Sequence, residues 1–187
     1  MKSTVLVVDD EANVLSALTR ALFEEPYEVL CAHSGEEALE IIAANPCKVV
    51  ISDERMTGMQ GSELLAILKE RHPTVLRILL TGHATLEAAM KAVNQGEIYR
   101  FFTKPWNDTD LKFAIRSAIE RFDLEAENRR LLATIKHQAM EIKVLEKRYP
   151  GISRVEKDAQ GSFVLPDLNE DEISAMLAEC EQEVTAR

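Results

Sequence analysis

The chain of 187 residues is poor in cysteine, glycine, proline and aromatic side chains, and it has no long apolar run. Its three cysteines, Cys31, Cys47 and Cys180, are odd in number, far apart and without C-x-x-C spacing. That excludes a disulfide framework, a redox dithiol and a thiolate zinc site, and a reduced, cytoplasmic setting is expected. With 7 Gly and 6 Pro the chain is neither collagenous nor of low complexity. After Met1 and Lys2 the run VLVV stops at two aspartates. It falls far short of a signal-peptide core or of the roughly 20 residues that span a bilayer, so no membrane insertion is expected. Positive charge is also scarce: 22 Lys+Arg stand against 32 Asp+Glu, a net charge of -10. Nucleic acid is therefore not an expected partner, because such binding needs a clustered basic face. Residues 129–157 carry eight basic and three acidic side chains but no helix-turn-helix companion, and they read as a solvated helix face or a contact for an acidic partner. His33, His72, His83 and His137 lack ligand spacing, and the single tryptophan, Trp106, reads as packing at the root of a helix.

What the chain has instead is alternation. From residue 4 to about residue 120, apolar runs of strand length alternate with amphipathic stretches of helix length, the pattern of a parallel sheet flanked by helices. Strands are expected at 4–8, 28–32, 48–52, 77–80 and 99–103. The first and third are almost wholly apolar and should be central, covered on both faces. Helices fill the gaps: one over 11–23, one opened by the capping-box spacing Ser34 to Glu37, and one after the loop Met56 to Gly61. A fourth opens at Thr85 and is closed by Gly96. A fifth starts near Asp108, expected as its N-cap.

The fifth helix meets no stop until Pro150-Gly151, a length that suggests a coiled coil or stalk. Asn128, Ile135, Ile142 and Tyr149 fall at heptad a, and Leu124, Leu131, Gln138 and Leu145 at d. A polar Asn at one a position favours a parallel homodimer in fixed register. Against this stand Gln138 at d and the like-charged Glu141 and Glu146, and the stripe could instead pack back on its own domain. Beyond Pro150 the chain reads as two short strands joined by a turn at 158–161, then a helix capped from Asn169. These last residues cannot bury enough surface to stand alone. They must lean on the stalk, a second subunit or a partner. The expected division is 1–122, a first domain; 123–149, a coiled-coil extension; and 150–187, a small hairpin-helix tail.

Asp9 and Asp10 follow the first strand and Asp53 follows the third. In an open parallel sheet this rim is where strand order reverses and a crevice opens. Three acids there repel one another unless a divalent cation intervenes, and hard carboxylate oxygens suit Mg²⁺. Thr81 ends the fourth strand and Lys104 the fifth, adding a hydroxyl and an ammonium. A carboxylate in such a setting can attack a phosphoryl group.

The segments VLVVDDE, SDERMTGMQG, ILLTGHA and YRFFTKPW resemble the motifs of the receiver domain of two-component response regulators over about residues 3–122. The match is especially close to receivers found with hydrogenase-type regulators and HD-GYP phosphodiesterases. The resemblance implies a (βα)5 doubly wound α/β fold with strand order 2-1-3-4-5. It implies Asp53 as phosphoacceptor and Asp9, Asp10, Asp53 and the backbone carbonyl of Arg55 as Mg²⁺ ligands. Thr81 and Lys104 would contact the phosphoryl oxygens, Phe101 would be the switch aromatic, and Pro105 would follow a cis bond. Tyr99 competes for the output face, since strand alternation places it on the side of Phe101. Two features depart from the family or colour it. Thr57 stands where the family usually has proline, and Arg55 and His83 occupy positions whose side chains commonly border the attacking water.

The expected function is a signalling switch, enzymatic only toward its own phosphorylation and dephosphorylation. A histidine kinase would phosphorylate Asp53, and the change at Thr81 and Phe101 would reshape the face formed by the fourth helix, fifth strand and fifth helix. That change would alter dimer contacts through 124–149 or expose stalk and tail to a protein partner. Two alternatives stay open: the receiver part of a longer regulator with a missing enzymatic or DNA-binding output, and a phosphate sink.

Overall fold

The computed structural model describes residues 2–82 and 98–149 and two short strands further on. The helix expected from Thr85 with its Gly96 stop, the turn at 158–161, the helix from Asn169, His83 and Cys180 lie outside the described residues. The described elements are β1 (Ser3–Val8), α1 (Ala12–Leu22), β2 (Tyr27–Ala32), α2 (Gly35–Ala44), β3 (Val49–Asp53), α3 (Gly61–Arg71), β4 (Leu76–Thr81), β5 (Arg100–Thr103), α4 (Asp108–Arg148), β6 (Glu156–Lys157) and β7 (Phe163–Val164). The chain divides into two compact units, Met1–Leu131 and Leu132–Arg187.

In the first unit five parallel strands pair in the order β2-β1-β3-β4-β5, as the resemblance implies. Alternate side chains of each strand feed opposite faces. Leu6, Val8, Val50 and Leu79 join Ala38, Ile42, Leu64 and Leu68 of α2 and α3 in one core. Val5, Val7, Ile51, Ile78 and Leu80 join Leu15, Leu18, Leu111 and Ile115 of α1 and α4 in the other. A two-residue period distributed over two helical layers accounts for the apolar runs at β1 and β3. β4 is buried along its whole length too. Arg77 obscures this in the sequence, for its guanidinium is buried and donates to the Val75 carbonyl at 2.7 Å.

Local signals set the helix starts, with two corrections. At α2, Ser34 Oγ accepts from the Glu37 N–H at 3.1 Å, as expected, but the Glu37 carboxylate returns to the N–H of His33 at 2.6 Å. At α4 the cap is Asn107 and not Asp108: its side-chain oxygen accepts from the N–H groups of Thr109 and Asp110 at 2.8 and 3.2 Å. Asp108 instead accepts from the Trp106 indole at 3.1 Å. The helix begins at Asp108, so Asn107 stands one residue before it, where a side-chain oxygen reaches the free N–H groups of the first turn, and Asp108 is a first-turn acid favoured by the dipole. Trp106 packs against the core, as expected.

Tyr99 also differs from expectation. Phe101 packs on the α2–α3 side, whereas Tyr99 packs on the α1–α4 side with the Arg121 guanidinium 5.5 Å from its ring centre. Tyr99 lies just outside β5, in a bend, so strand alternation does not extend to it.

α4 runs 41 residues without a glycine or proline. Leu111, Ala114, Ile115 and Ala118 are buried, and Lys48 holds Asp123 through both carboxylate oxygens. Farther along, Leu124, Leu131, Ile135, Ile142 and Leu145 are exposed. In the second unit β6 and β7 pair antiparallel, as the strand-turn-strand reading expects.

Candidate functional site

The C-terminal rim of the sheet gathers the polar residues of the sequence motifs. β3 ends on Asp53 and β4 on Thr81, while Asp9 follows β1 and Lys104 follows β5. Backbone bonds extend the pairing past the strands: Asp9 N–H to Ala32 at 3.2 Å, Glu54 N–H to Leu80 at 2.9 Å, and Lys104 N–H to Thr81 at 2.8 Å. These bonds fix where the side chains start.

Two of the acids are joined by the lysine. Lys104 Nζ lies 2.7 Å from Asp53 Oδ1 and 3.0 Å from Asp9 Oδ2. The second oxygen of each acid accepts a backbone N–H, from Arg55 to Asp53 Oδ2 at 3.0 Å and from Glu11 to Asp9 Oδ1 at 2.9 Å. Both carboxylates are buried, and charges removed from water require this kind of pairing. Burial by itself would lower the Lys104 pKa, but the hydrogen bonds and charges of Asp53 and Asp9 outweigh it, and the ammonium is held above its ordinary value.

The third acid is held apart. Asp10 Oδ2 accepts from both the Oγ1 and the N–H of Thr57, at 2.7 and 2.9 Å. Those two bonds, the hydroxyl first, keep the Asp10 carboxyl below the usual carboxylate range. Thr81 is fully buried, with its hydroxyl donating to the Gly82 carbonyl at 3.1 Å. Phe101 is partly buried, and the Arg55 side chain is exposed.

The donor chemistry suits Mg²⁺, a cation that takes carboxylate and carbonyl oxygens. The Lys104 ammonium between Asp9 and Asp53 marks where positive charge is required. The three carboxylates are nevertheless not drawn together: among the described residues, no three His, Cys, Asp or Glu side chains are grouped to hold a metal ion.

Sequence reasoning passed over three supports of the site, Glu54, Gly61 and Gly58. Glu54, next to the proposed phosphoacceptor and itself buried, accepts from the Ser62 N–H and Oγ at 2.9 and 3.1 Å, tying α3 to the end of β3. A Cβ on Gly61 would stand 2.0 Å from the Asp53 carbonyl oxygen, so only glycine lets α3 start against that strand. Gly58 has φ +82°, a conformation that L side chains rarely adopt. Glycines at 58 and 61 were visible signals, but the Glu54–Ser62 contact has no local periodicity to announce it.

The family model for the response regulator receiver domain matches residues 5–116. The hydrogenase transcriptional regulatory protein HoxA of Cupriavidus necator is 38% identical over 130 residues, covering 70% of this chain and 27% of that protein. Among solved structures, a signal receiver domain of an HD domain-containing protein from Pseudomonas fluorescens is 36% identical, with TM-score 0.62 over 66% of this chain and 98% of that one. A chain described as an adenylate cyclase from Rhodopirellula baltica is also 36% identical, with TM-score 0.67 over 71% of this chain and 98% of that one. The chain spans about a quarter to a third of the length of the curated relatives it matches.

Proposed function

The chain belongs to the response regulator receiver domain family, and from that premise we propose that it is a phosphorylation-controlled switch with Asp53 as phosphoacceptor. The observation that carries this reading is the Lys104 bridge. An ammonium 2.7 Å from a buried strand-end carboxylate places positive charge where the oxygens of a transferring phosphoryl group would arrive.

A histidine kinase would supply the phosphoryl group. An Asp53 oxygen attacks phosphorus, a new P–O bond forms, the P–N bond of the phosphohistidine breaks, and the imidazole nitrogen leaves with its electron pair and takes up a proton. Asp9, Asp10, Asp53 and the Arg55 carbonyl would hold Mg²⁺, which supplies charge neutralisation for the transferring phosphoryl oxygens. Lys104 gives up part of its contact with Asp53 to pair with a phosphoryl oxygen, and Thr81 turns its hydroxyl from Gly82 to another. Phe101 follows Thr81, and Tyr99 with Arg121 offers a second route from β5 into α4. The helix expected over 85–95 lies outside the described residues.

The output is carried by protein contacts: a parallel homodimer through 124–149, and a protein partner for stalk and tail. Support comes from the exposed a and d residues Leu124, Leu131, Ile135, Ile142 and Leu145. Among the described residues no helix is long and apolar enough to cross a membrane. A second reading, the receiver part of a longer regulator, is favoured by one observation: HoxA, named a transcriptional regulatory protein, is covered over only 27% of its length. A nucleic-acid-binding output would then belong to residues other than these.

The test is light scattering and mass spectrometry on the chain with Mg²⁺ and beryllofluoride or a small phosphodonor, alongside Asp53→Ala. We expect a single added phosphoryl group and a change in mass or shape in the wild type and neither in the variant. A phosphoryl group retained in Asp53→Ala would reject Asp53 as acceptor. Equal, unchanging dimers would leave the stalk a fixed scaffold and send the signal out through the receiver face or tail.

A further inference from the structure

We propose that Thr57 is a latch that withholds Asp10 from a divalent cation, so that metal loading of this site requires Thr57 to let go. The inference rests on the reading above in which Asp10 is a metal ligand, and it concerns a residue outside that ligand set.

The geometry is specific. Both donors of Thr57, hydroxyl and backbone N–H, converge on one oxygen of Asp10, at 2.7 and 2.9 Å. A carboxylate oxygen offers two lone-pair directions; at Oδ2 of Asp10 both are taken, and the two bonds together set the orientation in which Oδ1 is presented. Asp9 and Asp53 meanwhile face Lys104, at 3.0 and 2.7 Å. Lys104 thus bridges Asp9 and Asp53 by direct contact while Thr57 holds Asp10, and among the described residues no acidic trio is grouped to hold a metal ion. A turn of the Asp10 carboxylate that presented Oδ2 to a cation shared with the other two acids would break both Thr57 bonds.

The loop makes the latch possible. Thr57 is exposed and is followed by Gly58 at φ +82°, so the chain turns immediately after it and the Thr57 N–H faces back across the rim to a residue 47 positions earlier. A proline at position 57 would carry neither donor. The threonine there is therefore a change in chemistry as well as in stiffness. A hydrogen bond to a charged oxygen at an exposed site competes with water, which limits its worth to roughly a few-fold to tenfold in an equilibrium.

Calorimetric titration of the intact chain with MgCl₂, repeated with Mn²⁺ followed by water-proton relaxation, tests this directly. Thr57→Val removes the hydroxyl at nearly constant shape, Thr57→Pro removes both donors, and Thr57→Ser keeps both. We expect affinity to rise about two- to tenfold in Thr57→Val, further in Thr57→Pro, and to stay at the wild-type value in Thr57→Ser. Unchanged or weaker affinity in Thr57→Val overturns the latch; weaker affinity would mean that Thr57 orients Asp10 for the cation. Asp10→Asn separates the two readings. If it loses cation binding while Thr57→Val leaves it unchanged, Asp10 is a ligand and only the latch is wrong. If Asp10→Asn binds as the wild type does, Asp10 is no ligand and both readings fall.

Discussion

Leu111, Ala114, Ile115 and Ala118 near the start of α4 are fully buried, whereas Leu124, Leu131, Ile135, Ile142 and Leu145 farther along the same helix are 46–65% exposed. Helix propensity does not distinguish the two stretches; neither contains glycine or proline. The difference lies in what each can reach. The first stretch lies on one face of a five-stranded sheet and closes the core that α1 shares. A row of exposed large apolar groups, unlike a scattered few, marks an interaction surface, and this is the physical basis for reading it as a dimer seam.

The sharpest way to break the comparison is to make the same substitution on both sides of it. Ile115→Ala should cost about 2–5 kcal/mol of unfolding free energy, because it opens a cavity in a closed core. Ile135→Ala should stay within about 0.5 kcal/mol for the isolated fold. Denaturant unfolding of the two variants at equal protein concentration checks this. Similar losses would mean that the second stretch is buried in solution as deeply as the first.

Charging the seam comes next. Ile135→Asp combined with Ile142→Asp should weaken self-association more than about tenfold, since each side chain would exchange apolar burial for a buried like charge. Circular dichroism of the receiver elements should be unchanged. Sedimentation equilibrium showing the same dimer in wild type and variant would remove the coiled coil from the proposal.

A smaller effect is expected where α4 is pinned to the exit of α1. Nε and Nη2 of Arg116 each donate to an oxygen of the buried Glu25 carboxylate at 2.8 Å. The Arg116 hydrogen bonds, opposed by burial, hold Glu25 below its ordinary pKa. A depressed carboxylate stabilises the fold above the unfolded value of 4.5 and loses that contribution as pH falls through the folded value. Glu25→Gln should therefore cost about 1–2 kcal/mol near neutrality and progressively less below pH 4.5, in thermal melts recorded against pH. Lys104 shows the opposite sign. Its raised pKa contributes stability below 10.5 that is lost as pH rises through the folded value.

The smallest expected effect is at the last anchor before the exposed stretch. Lys48 pairs with Asp123 and lies 5.7 Å from the Phe122 ring centre. Lys48→Met should change stability by at most about 1 kcal/mol and reduce its salt dependence, as exposed ion pairs do. A larger loss would place the boundary between the two regimes of α4 beyond Asp123.

Much of this organisation is legible without coordinates. β1 and β3 announce themselves by unbroken apolar runs, α2 by Ser34, and α4 by the absence of any breaker between Asn107 and Pro150. The strand-end positions of Asp9, Asp53, Thr81 and Lys104 follow, because a strand's end is a local composition change and the rim of a parallel sheet collects such ends. Local pattern fails where a side chain chooses among partners distant in sequence. Asn107 and not Asp108 is the cap because the helix already begins at Asp108, and Tyr99 leaves the side of Phe101 because the chain bends before the strand begins. Periodicity and chain punctuation are short-range properties, and they were enough to place the described strands and helices of the first unit and the polar residues on the rim. The pairings came with the folded arrangement: Lys104 with Asp9 across 95 positions, Thr57 with Asp10 across 47, and Arg116 with Glu25 across 91. Each is a competition between several acceptors of the same chemistry, and it is resolved by distances that exist only once the sheet has brought its strand ends together.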